Sequence, residues 1–270
     1  MSDAVTNAML DAATLRAALV AHPALTIEVV AQIDSTNREL LERPSMPRAP
    51  HALLAQRQSA GRGRRGRRWL ADAEGSLCLS LAWWSARPPR DTAALGIVAG
   101  VACAQALRDL APAGTAIGLK WPNDLVVGER KLGGILVEAR AEQGGTRAVI
   151  GIGLNLCLPA ALVAELHAAG SACTDLHAQL GAATPSHNTL AAALLDALLR
   201  QLAEFERGGI AAAADAWPAF DVLAGRTVRV LGGADERSGV ARGIDPHGAL
   251  WVEFDDGVTR VHAGEVSVRP

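Results

Sequence analysis

Arg57, Arg62, Arg64, Arg65, Arg67 and Arg68 fall in one short run that meets no acidic residue before Asp72. Gly61, Gly63 and Gly66 are interleaved with them, and Trp69 closes the segment. Glycine removes side-chain bulk and widens the accessible backbone angles, so such a loop can fold closely around a guest. Ordering it costs entropy, and its cations repel one another while nothing lies between them. An anion resolves that repulsion, and planar guanidinium forks match phosphate or carboxylate oxygens. Trp69 adds a flat face on which a base can stack. The chemistry indicated is capture of a nucleotide-like anion.

A Gly/Arg run also suits a solvated turn, a nucleic-acid patch or a localisation signal. Composition bears on these readings. The 270-residue chain has a formal net charge of -2, no Tyr and only three Phe, so its basic field is local. A nucleic-acid binder spreads positive charge over a face, whereas focused charge on a near-neutral protein favours a small anion in a cleft.

Three further constellations carry polar chemistry. Lys120-Trp121-Pro122-Asn123-Asp124 precedes Lys131-Leu132-Gly133-Gly134-Ile135-Leu136. Proline holds the first segment extended or turning, which presents Asn123 and Asp124 at a strand end. Lys131 opens an apolar strand whose paired glycines admit a ligand to the backbone, and its ammonium is a mobile point charge for phosphate or carboxylate. Ser35-Thr36-Asn37 follows a strand and reads first as a helix cap, with hydrogen-bonding capacity for a small polar head group. Gly151-Ile152-Gly153-Leu154-Asn155 ends another strand with glycines beside a polar residue.

The elements that must position these residues follow from periodicity. The first twenty or so residues, with Leu10, Leu15, Leu19 and Val20, predict one short helix. Residues 26–33 alternate as a strand, and Asp34 or Ser35 is placed to cap the next helix. Strands are predicted at 52–57, 76–84 and 146–156, a core helix at 92–110, and strand–turn–strand at 115–140 with its bend at Gly128-Glu129-Arg130. Leu190, Leu194, Leu198, Leu202 and Phe205 give a long amphipathic helix from Thr189 to Glu206. After Trp217-Pro218, short β segments at 226–231, 238–244, 248–254 and 258–262 alternate with Gly- and Asp-rich turns, the rhythm of a small barrel. Trp83, Trp84 and Trp251 are read as packing residues.

Half of the residues are hydrophobic and a fifth charged, the balance of a globular protein with one sizeable core and a small satellite domain. The longest apolar run, around Ala93 to Ala104, falls short of the roughly 18 residues a membrane span needs. Met1-Ser2-Asp3 has no signal-peptide character, so a cytoplasmic location is expected. Cys78, Cys103, Cys157 and Cys173 form no CxxC pair, and three of them lie in apolar surroundings, predicting buried free thiols and no zinc.

In their order along the chain, Ser-Thr-Asn, Gln-x-x-Gly-Arg-Gly-Arg-x-Gly-Arg-x-Trp, Lys-Trp-Pro-Asn-Asp, Lys-Leu-Gly-Gly-Ile-Leu and Gly-Ile-Gly-Leu-Asn resemble the biotin protein ligases. Ala241 to Leu250 is similar to that family's barrel segment, and the resemblance runs from about Ile27 to the end. It implies an α+β fold: a class II synthetase-like mixed β-sheet with flanking helices in residues 1–221, and a C-terminal SH3-like β-barrel in 222–270. It implies ATP-dependent formation of biotinyl-5′-AMP, then transfer of biotin to a lysine of a biotin carboxyl carrier domain. Residue by residue, the resemblance places Ser35, Thr36, Asn37, Gln58, Arg62, Gly63 and Gly134 at biotin. It places Arg67, Trp69, Asn123, Asp124 and Asn155 at ATP or the adenylate. Arg64 and Lys131 serve both ligands as the catalytic pair, with Asp124 also a Mg²⁺ ligand. Biotin and Mg-ATP enter as substrates, and no permanently bound cofactor is expected. The N-terminal winged helix of the bifunctional members is not seen, so no specific DNA binding is expected, and a homodimer is left open. A lipoate–protein ligase and a nucleic-acid-binding regulator are the alternatives; Ser35 and Gln58 suit a ureido ring better than a dithiolane.

Overall fold

The computed structural model describes residues 9–44, 46–71, 75–232, 235–263 and 267–269. Its larger sheet is built from β1 (Thr26–Ile33), β2 (His51–Gln58), β3 (Ser76–Ser85), β4 (Ile117–Lys120), β5 (Asp124–Val127), β6 (Arg130–Glu142) and β7 (Gly145–Asn155). The spatial order is β1-β2-β3-β7-β6-β5-β4. β1 and β2 run parallel and every other neighbouring pair antiparallel, so the sheet is mixed, as expected.

Side chains alternate across a strand, and here alternation separates two unlike faces. Leu77, Leu79 and Leu81 of β3, Ile150, Ile152 and Leu154 of β7, and Ile135 of β6 are buried on one face. Helices α3 (Leu95–Leu110) and α6 (His187–Gly208) complete the main core with them. The expected leucine stripe of α6 is buried throughout, and Ser186 caps that helix by accepting from Thr189 N at 3.2 Å. The opposite face carries Ser76, Cys78 and Ser80 of β3, Gly151, Gly153 and Asn155 of β7, and Gly134, Leu136 and Glu138 of β6. Register aligns Ser80, Gly151 and Leu136 in one row and Cys78, Gly153, Gly134 and Asp124 in the next. Helix α2 (Thr36–Glu42) covers part of this second face, where Leu40, Leu53, Ala82 and Val149 form a small separate core.

The C-terminal part is a five-stranded antiparallel sheet of order β11-β10-β9-β8-β12. Its strands are β8 (Thr227–Gly232), β9 (Asp235–Ile244), β10 (Leu250–Phe254), β11 (Gly257–Val261) and β12 (Ser267–Arg269). The first four match the segments read from the sequence. β12 is a three-residue strand, too short to show alternation. The segment leading into this sheet, and its β9–β10 turn, are tied to the larger sheet near the β4–β5 turn. Leu119 N donates to Phe220 O at 2.7 Å, Val222 N to Leu119 O at 3.0 Å, and Trp121 Nε1 to Gly248 O at 3.0 Å.

Several elements differ from expectation. The first helix is α1 (Ala12–Ala18), capped by Asp11; Val20 lies beyond its end and is 77% exposed, and residues 1–8 of the expected helix lie outside the described residues. Segment 115–140 holds three strands rather than two, because the chain also turns at the cis Trp121–Pro122 bond. Short helices α4 (Ala160–Ala168), α5 (Leu176–Leu180) and α7 (Ala211–Ala216) carry too little periodicity to be read beforehand. Cys78, Cys103 and Cys173 are buried as free thiols and Cys157 is exposed. Trp83 Nε1 donates to Glu206 at 3.0 Å, while Trp84 and Trp251 lie under Arg48 and Arg260. No helix among the described residues is long and apolar enough to cross a membrane.

Candidate active site

Ser35 rather than Asp34 caps α2, accepting from Arg38 N at 3.4 Å; Asp34 instead accepts from Ser35 N at 2.8 Å and pairs with Arg38. The cap turns the first residues of the helix down onto the polar face of the sheet. Thr36 N donates to Gln58 Oε1 at 2.7 Å, and Thr36 Oγ1 lies 2.7 Å from Ser80 Oγ. Ser80 donates to Asn37 Oδ1 at 2.7 Å, and Asn37 Nδ2 to Glu138 Oε2 at 3.0 Å. The other oxygen of Glu138 pairs with Arg62 at 3.1 Å. Ser35, Thr36, Asn37, Gln58 and Arg62 thus form one continuous polar wall. Asn37 fits only because Gly151 lies beneath it: a Cβ there would stand 2.2 Å from Asn37 Oδ1.

A second group gathers at the β5–β6 side. Lys131 Nζ donates to Asp124 Oδ1 at 2.6 Å, and its chain crosses Gly134, where a Cβ would lie 3.2 Å from Nζ. Asn123 is clamped to Ile135, its carbonyl accepting Ile135 N at 2.9 Å and its Nδ2 donating to Ile135 O at 2.8 Å. That leaves Asn123 Oδ1 to accept from Arg64 Nη1 at 3.1 Å, while Arg64 Nη2 donates to the Ala263 carbonyl of the C-terminal part. Burial pushes the Arg64 guanidinium below its ordinary pKa, Asp124 draws it back up, and Arg65 pushes it further down. Two cations therefore share one carboxylate here, an arrangement that favours an arriving anion.

Trp69 lies between the groups. Its indole packs on Gly153, where a Cβ would stand 2.4 Å from the ring, and Lys131 Nζ is 5.7 Å from the ring centroid. The arginine loop is a tight hairpin: Gly63 N donates to Arg67 O at 2.7 Å and Trp69 N to Gly61 O at 2.9 Å. Arg65 and Gly66 form its tip at φ 57° and 72°, a left-handed conformation that glycine takes freely and arginine seldom. A hollow of about 180 Å³ lies within the loop, lined by Gly61, Arg62, Gly63, Gly66, Arg67 and Arg68. Arg67 is exposed and lines that hollow. Asn155 is buried and gives its Nδ2 to Thr174 O at 3.0 Å; the same 172–174 segment pairs with Lys131, so both residues share a support.

Sequence reasoning missed Ser80, Glu138, Cys78 and Ala263. The signal for the first three was present, since by register and alternation they share the face of Gly134 on β6 and Gly151 and Gly153 on β7. Burial pushes the Cys78 thiol up to about 11, opposed by its contacts with Gln58 and Trp69. Ala263 contributes a backbone oxygen, which no residue type announces.

The family model of the Biotin/lipoate A/B protein ligase family matches residues 29–155, and that of the Biotin protein ligase C terminal domain matches 224–269. The chain is 35% identical over 245 residues to the bifunctional ligase/repressor BirA of Escherichia coli (strain K12), covering 90% of this chain and 74% of that protein. It is 34% identical over 247 residues to the biotin--[acetyl-CoA-carboxylase] ligase of Mycobacterium tuberculosis, covering 89% and 88% respectively. Among solved structures, the Aquifex aeolicus biotin protein ligase in complex with biotin and ATP superimposes with a TM-score of 0.73 at 25% identity, covering 90% of this chain and 98% of that one. Fold and site together therefore define an enzyme of the class that joins an acyl cofactor to protein. Within that class, the chain belongs to the biotin protein ligase family.

Proposed function

We infer that this enzyme activates biotin with ATP and transfers it to a protein lysine. A biotin carboxylate oxygen attacks the α-phosphorus of ATP, the bond to the β,γ-phosphates breaks, and biotinyl-5′-AMP and pyrophosphate result. The ε-amine of a lysine on a biotin carboxyl carrier domain then attacks the mixed anhydride, forming an amide and releasing AMP with the amine's proton. Both steps call for positioning, charge stabilisation at phosphorus and exclusion of water rather than a covalent enzyme intermediate.

One observation carries the assignment of roles. A row floored by Gly134 and Gly153 runs from the Lys131–Asp124 edge toward Cys78 and the Ser35–Gln58 wall. Its span from β5 to β3 is three strand spacings, about 14 Å at about 4.8 Å each. An acid with a polar head and an aliphatic tail lies along it with its head at the wall and its carboxylate at Lys131. Ser35, Thr36 and Gln58 take the ureido ring, with Asn37 setting their geometry and the backbone at Arg62 and Gly63 above them. Lys131 and Arg64 neutralise carboxylate and α-phosphate as charge builds between them, and Arg67 reaches the outer phosphates. Asn123, Asp124 and Asn155 border the adenylate, and Trp69 covers it.

Because Trp69 now occupies the floor, and sites for ligands of this size run to about 300–1,000 Å³, the loop must lift to admit substrates and close again over the adenylate. Magnesium arrives with ATP. Mg²⁺ held through substrate phosphates needs only one or two protein carboxylates. Asp124, which now pairs with Lys131, would supply one once Lys131 turns to the substrates. The catalytic part is assigned to residues 1–221 and the C-terminal part to 222–270, with Ala263 reaching back to Arg64. The polar wall favours a ureido ring over lipoate, and the concentration of arginines at one cleft speaks against a nucleic-acid role.

Incubation with biotin, Mg-ATP and a purified carrier domain tests the function. The expected result is one biotin adduct on the carrier by intact mass and one pyrophosphate released per adduct. No adduct together with no pyrophosphate overturns the reading.

A further inference from the structure

The polar wall has a direction, and Glu138 stands at its origin. Asn37 Nδ2 donates to Glu138 Oε2 at 3.0 Å and to the Leu136 carbonyl at 3.3 Å. That turns the Asn37 oxygen toward Ser80, whose hydroxyl donates to it at 2.7 Å. A serine hydroxyl has one proton, so Thr36 is the donor in its 2.7 Å contact with Ser80, and the same Thr36 proton also faces Gln58 Oε1 at 3.1 Å. The Thr36 proton thus points into the wall, and its remaining lone pair is what a head group meets. Gln58 is oriented separately. Its Oε1 receives Thr36 N and faces the Thr36 hydroxyl, which makes its Nε2 the donor end of the amide, beside Cys78. A wall that accepts from N–H and donates to C=O matches the edge of a cyclic urea.

Glu138 also reaches the loop. Its Oε1 pairs with Arg62 at 3.1 Å, and its side chain is only 19% exposed. A carboxylate is acceptor-only, so it receives Asn37 and Arg62 at once; a glutamine has one acceptor oxygen and would turn its own N–H groups toward one of the two donors. We propose that Glu138 is a positioning residue that sets the hydrogen-bond polarity of the head-group wall through Asn37 and Ser80, and latches the arginine loop over that wall through Arg62. The proposal rests on the biotin reading of the site. It follows that head-group recognition and loop closure share one carboxylate.

Three variants separate the duties: Glu138→Gln, Glu138→Ala and Ser80→Ala. The readouts are single-turnover pyrophosphate release against biotin concentration, tryptic cleavage after the loop arginines, and thermal melting. Ser80→Ala breaks the chain of hydrogen bonds and leaves the latch, so half-saturation by biotin should rise about tenfold with loop cleavage unchanged. Glu138→Gln keeps an acceptor for Asn37 and loses the ion pair, so loop cleavage should accelerate several-fold while half-saturation stays within about threefold. Glu138→Ala should show both effects; if it fails to melt cooperatively, the other two variants decide. An active wild type whose Ser80→Ala and Glu138→Gln variants share one pattern, or match wild type in both readouts, overturns the proposal alone. A wild type that releases no pyrophosphate with biotin overturns the ligase reading, and this proposal with it.

Discussion

Adding one methyl group at Gly153 should unlock the arginine loop while leaving the sheet intact. A Cβ at that position would stand 2.4 Å from Trp69 Cε2, 2.7 Å from Cζ2 and 2.8 Å from Nε1. Carbon atoms rest at about 3.5–4.0 Å, so the indole must retreat by about 1 Å. It cannot slide freely. Trp69 N is bonded to Gly61 O, and a Cβ on Gly61 would already stand 2.6 Å from Trp69 O. Overpacking of this kind typically costs about 1–3 kcal/mol. The cost falls on the closed loop, because the clashing atoms belong to it and leave when it lifts. Conversion at 1.4 kcal/mol per tenfold gives a shift of about 5- to 150-fold toward the open form. The assay is the rate of tryptic cleavage after Arg64 to Arg68 in the free protein. It should rise while the melting temperature falls by no more than about 2–4 °C per kcal/mol, because the clash is relieved when the loop lifts. Gly151→Ala is the control: its Cβ would meet Asn37 Oδ1 at 2.2 Å, so it should weaken biotin binding rather than loop closure. Cleavage at the wild-type rate in free Gly153→Ala would refute the packing of Trp69 as the lock.

Lys131→Met should lower single-turnover pyrophosphate release by about 10²- to 10³-fold, the usual cost of one charged donor in a transition state, with little change in melting. Activity within a few-fold of wild type would assign that charge to Arg64. Arg64→Gly should free the loop from Asn123 and Ala263, so adenylate escapes and biotin appears on lysines of unrelated proteins by mass spectrometry. Strict carrier specificity would contradict this. Iodoacetamide at pH 8 should modify Cys157 first, because it is exposed whereas Cys78 and Cys103 are buried with thiol pKa values raised to about 11 and about 12. Since the thiolate is the nucleophile, a raised pKa keeps these groups protonated and inert until pH approaches those values. Early alkylation of Cys78 in intact mass and peptide maps would show that the floor is open.

Much of the fold was legible because alternation and helical stripes are local signals. Leu77, Leu79 and Leu81 name their strand, and the α6 leucines name their helix. What stayed hidden depends on short or distant partners. β12 has three residues, too few to alternate. The division of 115–140 into three strands depends on a turn at Trp121–Pro122, which the proline made conceivable but did not locate.

For the candidate site, residue types marked the cations and glycines that the structure gathers on one face, but not what orients them. Gly151 and Gly153 read as open space beside Asn155; in the structure that space is filled by the side chains of Asn37 and Trp69, arriving from a helix and a loop far away in sequence. Asn155 itself, which the motif puts at the adenylate, spends its amide on Thr174. Glu138 and Ser80 reveal the general reason. Each is an ordinary polar residue on an alternating strand, and its importance comes from which donor it faces across the sheet. Register decides that, and register is set by all the strands together: slipping β6 by one residue against β7 would turn Glu138 and Gly134 to the apolar face. The sequence therefore marks the charged and glycine positions that gather at the candidate site more readily than it marks which residues hold them in place.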